Sequence, residues 1–227
     1  MYKLTPLQKK AIDSFATSAL KDNFYWTGGT LLSIFYLHHR ESIDIDFFSD
    51  NPFSFNTVNS FITNFKNKEG ISRIDYEKVF DRWEFLLEKG NKNLRIEFVY
   101  YNHEKKVLGA RRRYMGVLID SIEDIAANKT FAYFDRNEPK DLFDLYFLIK
   151  KAKFTPVKLL NLVRKKFGAG FTEDMFWSES FKSLNLLRTL KPLLSEKSKK
   201  EQDELFGDIG AYFKSGSSKY LNSVLTN

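Results

Sequence analysis

The feature that most constrains this chain is a glycine pair, Gly28-Gly29, followed fifteen residues after Gly29 by two aspartates, Asp44 and Asp46. Side chains on a β-strand alternate between its faces, so both carboxylates point one way. The opposite face is apolar, with Ile43, Ile45 and Phe47. Two ionised carboxylates held close together repel each other unless a cation neutralises them, and Mg2+ prefers oxygen ligands. The two aspartates therefore predict a divalent-metal site on one face of a strand.

The glycine pair separates a short predicted strand, 24–26, from a predicted helix, 31–37. Glycine lets the backbone turn tightly and come close to a ligand. A helix N-terminus offers free N–H groups and a partial positive charge to a phosphate, and the Thr30 hydroxyl adds a donor. Gly28, Gly29 and Thr30 are therefore predicted to hold phosphates. A simpler interpretation stays open for each half, because a glycine pair is often only a turn and an aspartate pair is often solvated or salt-bridged.

The two halves together resemble the nucleotidyltransferase superfamily and, within it, the AbiEii/AbiGii toxin family. In that family a G-G-T turn leads through one helix to an H-R-x-S-x-D-[IL]-D-[FL] segment. This chain has T-G-G-T-L-L at 27–32, and the later segment fills every fixed position with His39, Arg40, Ser42, Asp44, Asp46 and Phe47. The resemblance implies that Arg40 and Ser42 help to bind a nucleotide and that the two aspartates bind metal.

Helices and strands alternate through the rest of the first half of the chain. A helix over 6–20 starts at Pro6, with predicted buried residues Leu7, Ile12, Phe15 and Ala19. A second helix covers about 54–66. Strand patterns follow over 71–80, 83–88 and 94–101, the last two joined by a hairpin turn at Lys89-Gly90-Asn91. This order predicts an α+β fold with a mixed sheet and flanking helices, and the resemblance implies a nucleotidyltransferase-like sheet.

Glu97 lies on the last of these strands, on the face opposite Leu94, Ile96 and Phe98. The resemblance implies that it is the third carboxylate of the metal site, because the family places a third acid on a neighbouring strand. A cross-strand ion pair or a solvated glutamate fits the same pattern.

From Ser121 onward the pattern is helical, and one helical stripe carries a lysine, Lys129. Its neighbours at intervals of three or four residues are Ile122, Ile125, Ala132 and Arg136. A lysine on an apolar stripe is explained by a snorkelling side chain, by a buried carboxylate partner or by a phosphate ligand. The residues alone leave these three interpretations open.

The resemblance extends to 129–148, where a lysine, an arginine and a [RK]-D-x-x-D-L segment form a second family signature. The matching positions are Lys129, Arg136, Lys140, Asp141, Asp144 and Leu145. The resemblance implies that Lys129 steadies a triphosphate and that Asp141 acts close to the acceptor or to this lysine. Asp144 is either an acid near a helix N-terminus or an ion-pair partner of Arg136.

Two domains are predicted, a nucleotidyltransferase core over 1–118 and a helical domain over 119–227 that completes the active site. A chain of 227 residues with 43% hydrophobic content can bury cores of that size. Further helices are expected at 155–167, 173–187 and 201–213, with a connection at 193–199.

Charge and composition narrow the range of partners. Lys and Arg number 36 against 29 Asp and Glu, and the net charge of +7 favours a polyanion such as RNA. Basic clusters occur at 111–113, 150–153 and 164–166, although such residues at helix ends commonly serve the helix dipole. The absence of cysteine excludes disulfides and thiolate zinc sites. No signal run or bilayer-length apolar stretch occurs, so a cytoplasmic protein without a membrane partner is expected.

The function implied by the resemblance is that of a toxin enzyme held in check by a cognate antitoxin, which is a protein or an RNA. It would transfer a nucleoside monophosphate from a nucleoside triphosphate to an RNA, for which the acceptor end of a tRNA is a candidate, and release pyrophosphate. Two Mg2+ ions, replaceable by Mn2+, would be held by Asp44, Asp46 and Glu97. Two alternatives are an enzyme with a small-molecule or protein hydroxyl as acceptor, and a non-catalytic nucleotide- or RNA-binding module.

Overall fold

The computed structural model describes residues 2–101 and 106–226. The chain divides into two compact units, Tyr2–Ile122 and Glu123–Asn227. The first unit carries a mixed sheet, and the described part of the second is helical. The predicted α+β class is thus confirmed, with the sheet preceding a helical C-terminal region.

The sheet of the first unit has seven strands among the described residues. They are β1 Tyr25–Thr27, β2 Asp44–Ser49, β3 Arg73–Val79, β4 Arg82–Lys89, β5 Lys92–Tyr100, β6 Arg112–Tyr114 and β7 Val117–Ile119. Their order across the sheet is β3-β4-β5-β2-β1-β7-β6. The pairs β2·β5 and β1·β7 are parallel, and the other neighbouring pairs are antiparallel. The two aspartates and Glu97 therefore belong to strands that lie side by side in the sheet.

Three helices accompany this sheet: α1 Pro6–Ala16, α2 Gly28–Leu31 with a π-helical continuation over Leu32–Leu37, and α3 Phe55–Glu69. α1 begins with a capping box between Thr5 and Gln8, and it ends earlier than the predicted 6–20. Hydroxyls after its last turn bond to nearby carbonyls, with Ser18 donating to Phe15, so the chain leaves the helix and Ala19 is exposed rather than buried.

Aromatic side chains fill the core beneath one face of the sheet. Phe15 of α1 stacks on Phe47 of β2 with ring centroids 3.8 Å apart, and Phe61 of α3 packs edge-on against Phe15. Along β5, Leu94, Ile96 and Phe98 are buried as the alternation predicts. Ile43 is different: it precedes the first residue of β2 and is exposed, because the alternating geometry starts only at Asp44. The other face of β2 and β5 carries Asp44, Asp46, Arg95 and Glu97, followed by Phe48 and Val99.

The second unit is built from helices around its own apolar core. They are α4 Ile122–Asp135, α5 Pro139–Lys150, α6 Pro156–Phe167, α7 Glu173–Leu184 and α8 Lys199–Leu225, with a 3-10 helix at Leu187–Leu194. α4 starts at the last residue of the first unit. α8 runs well beyond the predicted 201–213, and the 3-10 helix occupies part of the expected connection. None of the helices in the described residues is both long enough and apolar enough to cross a membrane.

Candidate active site

The register between β2 and β5 brings the predicted acids onto one face of the sheet. Asp46 is the partner of Glu97, and Asp44 is the partner of Arg95. Adjacent strands lie about 4.8 Å apart, so Asp46 and Glu97 project as neighbours and Asp44 stands two residues along on the same side. On the other flank of β2, Thr27 at the end of β1 pairs with Asp46. The metal-ligand candidates are therefore adjacent to the residue that precedes the glycine pair.

Gly28 lies against the carboxylate of Asp46. Its φ of +77° is in the left-handed region, and a Cβ atom built on it would lie only 1.8 Å from Oδ2 of Asp46. A larger residue here would therefore be strained in its backbone and would displace the Asp46 side chain. A Cβ atom on Gly29 would lie 3.0 Å from Nη2 of Arg40 and 3.3 Å from Oγ of Ser42. The Asp46 carboxylate thus lies beside Gly28, and the Arg40 guanidinium and the Ser42 hydroxyl lie beside Gly29.

The segment that carries Arg40 and Ser42 is held from two directions. Nε2 of Gln8 donates to the Ser42 carbonyl at 2.8 Å, and the Ser33 hydroxyl donates to the Arg40 carbonyl. Arg40 is 3% exposed, and its Nη1 donates to the Glu41 carbonyl at 2.8 Å. This guanidinium is a buried, fixed positive charge beside Gly29.

Thr30 is fully buried, and its hydroxyl donates to the backbone carbonyl of Asp44. The sequence predicts this hydroxyl as a donor to a phosphate. In the structure it instead fastens the start of α2 to the start of β2. Thr30 thereby fixes the position of Asp44.

Two arginines neutralise the acids on the charged face of the sheet. Arg95 contacts Asp44 through Nη2 at 2.5 Å and Glu97 through Nε at 3.3 Å. Arg82 contacts Glu97 at 3.4 Å and Glu84 at 2.5 Å. Glu84 of β4 is the register partner of Glu97, and Nη1 of Arg95 lies 3.7 Å from it. We call this group, Asp44, Glu84, Glu97, Arg82 and Arg95, the acid–arginine face.

Burial shapes the electrostatics of this face. The pKa of Glu97 is raised above its ordinary value because burial disfavours the carboxylate, and the Arg82 and Arg95 guanidiniums offset only part of this effect. The pKa of Arg95 is raised, chiefly by its hydrogen bond to Asp44. The face therefore holds a carboxylate that gains from any further cation.

The side chains of the sheet suit a hard divalent cation in kind. Asp44, Asp46 and Glu97 supply only carboxylate oxygens, as Mg2+ and Mn2+ prefer, and they come from neighbouring positions of two paired strands. Across the described residues, no three acids or histidines already surround one point as a finished metal cage. The donors fit the metal, while Asp44 and Glu97 are each in contact with an arginine.

A second charged group lies in the helical unit. Nζ of Lys129, on α4, lies 3.1 Å from Asp141 and 2.8 Å from Asp144, both on α5. The two aspartates are fully buried and the lysine nearly so. We call Lys129, Asp141 and Asp144 the buried lysine cluster. Among the interpretations of Lys129 left open by the sequence, a buried carboxylate partner is the one present.

Arg136 adds a second cation to this cluster. Its guanidinium makes a bidentate interaction with Asp141, in which Nε donates to Oδ2 at 2.7 Å and Nη2 donates to Oδ1 at 3.0 Å. Burial raises the pKa of Asp141, but Lys129 and Arg136 outweigh it and hold that pKa below its ordinary value. Asp144, which the sequence leaves as a helix-end acid or a partner of Arg136, contacts Lys129. Lys140 lies at the surface and pairs with Glu138 at 2.8 Å.

The arginines of the cluster at 111–113 have partners within the protein. Arg111 forks onto Asp50 and lies over the ring of Tyr25, and Arg113 pairs with Asp22. In the cluster at 164–166, Lys166 forms a buried pair with Asp124 at 2.7 Å. These residues contribute to the fold, which weakens the expectation that their clusters contact RNA.

Glu84, Arg82 and Arg95 are the members of the charged face that the predicted site lacks. A signal for them is present in the sequence. A two-residue hairpin turn at Gly90-Asn91 pairs Lys89 with Lys92 and, counting back, Glu84 with Glu97. The predicted three-residue turn leaves this register open.

Solved structures define the class of fold. A proposed nucleotidyltransferase from H. pylori superposes with a TM-score of 0.60 at 19% identity, covering 94% of this chain and 92% of that one. JHP933 from Helicobacter pylori gives a TM-score of 0.58 at 19% identity, covering 97% and 94%. At such low identity these likenesses show the fold, which is that of a nucleotidyltransferase.

The family follows from the sequence match. Residues 10–215 match the family described as nucleotidyl transferase AbiEii toxin of type IV toxin–antitoxin systems. The chain belongs to the AbiEii family of nucleotidyltransferase toxins, and the expected enzyme class is confirmed. It is also 30% identical over 170 residues to the uncharacterized protein aq_aa25 of Aquifex aeolicus (strain VF5), covering 74% of this chain and 77% of that protein.

Proposed function

We propose that this toxin is a Mg2+-dependent enzyme that transfers a nucleoside monophosphate from a nucleoside triphosphate to an RNA, with release of pyrophosphate. The observation that carries this proposal is the register that sets Asp46 beside Glu97, with Asp44 on the same face and Gly28 against the Asp46 carboxylate. It supports a site in which these carboxylates would hold divalent cations close to the backbone amides at the start of α2, where phosphates can bind.

Each group of residues at this site has its own proposed role. Asp44, Asp46 and Glu97 would hold two divalent ions. Gly28 and Gly29 would let the triphosphate approach the backbone at the start of α2. The buried guanidinium of Arg40 beside Gly29 supports a role in fixing a phosphate, and the neighbouring Ser42 hydroxyl can donate to the same group.

Transfer is an in-line displacement at the α-phosphorus, in which the acceptor oxygen attacks and pyrophosphate leaves. The chemistry supplied by bound divalent ions is activation of the acceptor hydroxyl and neutralisation of the leaving group. Arg40 would add fixed positive charge for the phosphates. Lys129 is held by Asp141 and Asp144 in the buried lysine cluster, and we assign it no phosphate. No covalent intermediate with the protein is needed.

An RNA acceptor, including the acceptor end of a tRNA, is supported by the net charge of +7 and by the family. An antitoxin, protein or RNA, is the partner that the family implies, and a cytoplasmic location is consistent with such partners. The internal partners of Arg111, Arg113 and Lys166 favour a second candidate, in which the acceptor is a small-molecule or protein hydroxyl. A non-catalytic nucleotide- or RNA-binding role is less consistent with an enzyme family.

The experiment that tests the proposal follows the label of each α-labelled nucleoside triphosphate in the presence of Mg2+ and total tRNA. Label on RNA supports the proposal, and label only on an added protein or small molecule supports the second candidate. Asp46→Ala is the inactive control, and Asp75→Asn, an exposed acid on β3 of the same sheet, is the matched active control. Incorporation that persists with EDTA or in Asp46→Ala contradicts the metal site. No incorporation under any condition contradicts catalysis.

A further inference from the structure

Arg95 occupies oxygens that the proposed metal site needs. Its Nη2 lies 2.5 Å from Oδ2 of Asp44, and its Nε lies 3.3 Å from Oε1 of Glu97. A guanidinium at these distances and a divalent cation cannot share the same carboxylate oxygens without strong repulsion. Metal binding through these two oxygens therefore requires Arg95 to move.

A second place for the Arg95 guanidinium already exists. Oε2 of Glu84 lies 3.7 Å from Nη1 of Arg95, and the register of β4 and β5 places Glu84 directly beside Glu97. The Arg95 side chain is 39% exposed, so a change of rotamer does not require repacking of the core. A short swing away from Asp44 would exchange one carboxylate partner for another.

The charges of the face explain why such a cation is useful. Four acids, Asp44, Asp46, Glu84 and Glu97, lie on one side of three adjacent strands, and like charges at this spacing disfavour the folded sheet. Arg82 and Arg95 offset that repulsion without any metal. Arg82 is placed between Glu84 and Glu97, whereas Arg95 is the arginine that reaches Asp44. Arg95 thus contacts two of the proposed metal ligands, Asp44 and Glu97, whereas Arg82 contacts Glu97.

We propose that Arg95 is a positioning residue that neutralises Asp44 and Glu97 before a divalent cation binds, and that Glu84 receives its guanidinium when the cation arrives. This inference rests on the proposed metal-dependent function. It assigns to Glu84 a role through Arg95 and not as a metal ligand. Arg95 then competes with the cation, and Glu84 favours the cation by removing the competitor.

The test is direct binding of Mn2+, and of Mg2+, to the metal-free full chain, measured by calorimetry without nucleotide. Arg95→Gln is expected to tighten binding about tenfold, since one unit charge is lost a few ångströms from the cation in a partly exposed setting. Arg73→Gln is the matched control, because it removes the same charge from β3 of the same sheet, where Arg73 pairs with Asp75. An equal gain in both variants, or weaker binding in Arg95→Gln, overturns the proposal.

The role of Glu84 is isolated by a double-variant comparison. Glu84→Gln alone is expected to weaken Mn2+ binding about threefold or more, because Arg95 loses the carboxylate to which it would move. In the Arg95→Gln background the same change should have little effect. An undiminished effect in that background shows that Glu84 does not act through Arg95, and this overturns the proposal.

Thermal unfolding separates this proposal from loss of structure. In EDTA, Arg95→Gln is expected to unfold at a lower temperature than the parent protein, and added Mn2+ should stabilise it by a larger shift than it stabilises the parent. If Arg95→Gln shows no cooperative unfolding, Arg95→Lys replaces it. Lysine keeps the positive charge but cannot make the two-pronged guanidinium contact, so the Mn2+ affinity of Arg95→Lys should lie between those of the parent protein and Arg95→Gln. Binding that is equal in all folded variants overturns only the role of Arg95. An absence of Mn2+ binding in every protein overturns the metal-dependent function as well.

Discussion

The acid–arginine face of the sheet and the buried lysine cluster of the helical unit both place a cation between two acids, yet they differ in exposure. Arg95 is 39% exposed as it touches Asp44 and Glu97. Asp141 and Asp144, by contrast, are fully buried around Lys129. Water screens the first group and can replace any contact that it loses, while the second has no such substitute. The difference indicates that the sheet offers exchangeable charges and the helices offer fixed ones.

The two units also generate their clusters by different means. Strand register sets the pairs on the sheet, so neighbouring residues of opposite charge meet along the pleat. On α5 a spacing of three residues places Asp141 and Asp144 on the same side of the helix, where both reach Lys129. A pair on a pleated surface keeps one side open to ligands. A pair between packed helices closes that side.

The largest expected effect is on the stability of the helical unit. Lys129→Met leaves Asp141 and Asp144 buried without this partner, which should cost about 3–5 kcal/mol in the free energy of unfolding. Arg95→Gln on the exposed face should cost less than about 1 kcal/mol. Urea denaturation of both variants measures the contrast. Equal losses would remove the distinction between fixed and exchangeable charges.

Asp46→Asn should reduce nucleotidyl transfer about a hundredfold or more, because it removes a carboxylate that would neutralise charge in the transition state. The free energy of unfolding should change little, since Asp46 is partly exposed and asparagine has the same shape. Transfer is measured with labelled triphosphate, and unfolding with urea, using Asp75→Asn as the control. A fall in stability as large as that of Lys129→Met would show that the Asp46 carboxylate stabilises the fold, as the charges of the buried lysine cluster do.

The two glycines should differ in their tolerance of a methyl group. Gly28→Ala forces alanine into a left-handed conformation, at about 1–2 kcal/mol, and drives its Cβ into the Asp46 carboxylate. Gly29→Ala meets only the side-chain ends of Arg40 and Ser42 at 3.0 Å or more, so it should cost less. Parallel urea unfolding and transfer assays of the two variants measure this difference. Similar losses would show that the close approach of Gly28 to Asp46 is unimportant.

The smallest expected effect is on the free energy of unfolding at acidic pH. The pKa of Asp141 in the folded protein is lowered, so its ionised form stabilises the fold fully above the unfolded pKa, about 4. This contribution is lost as the pH falls through the lower, folded pKa. The stability difference between the parent protein and Asp141→Asn should therefore be constant near neutral pH and narrow below about pH 4. A difference that widens toward low pH has the wrong sign and would contradict the ion pairs with Lys129 and Arg136.

Much of this fold is predictable from local pattern. Alternation along β5 gives the buried Leu94, Ile96 and Phe98. The apolar spacing of α3 predicts burial of Phe55, Val58, Phe61, Ile62 and Phe65, and all of these are buried except Phe55, which is half-buried. Short strands are harder to predict, because β6 and β7 have three residues each and carry too little periodicity. The arginines of β6 therefore resemble a basic surface cluster, although Arg111 beside them is committed to Asp50.

The sequence by itself determined the family and the enzyme class of this protein. The glycine pair, the two aspartates, Glu97 and the lysine signature, which carry the resemblance, are readable in chain order, since the types and spacings of these residues are local properties. Only the tertiary structure decided which charges meet. The pairing of β2 with β5 joins residues 51 positions apart, Asp44 and Arg95, and the packing of α4 on α5 buries Lys129 against two acids. Such contacts depend on register and on burial, and both are fixed only when separate segments bury a common core.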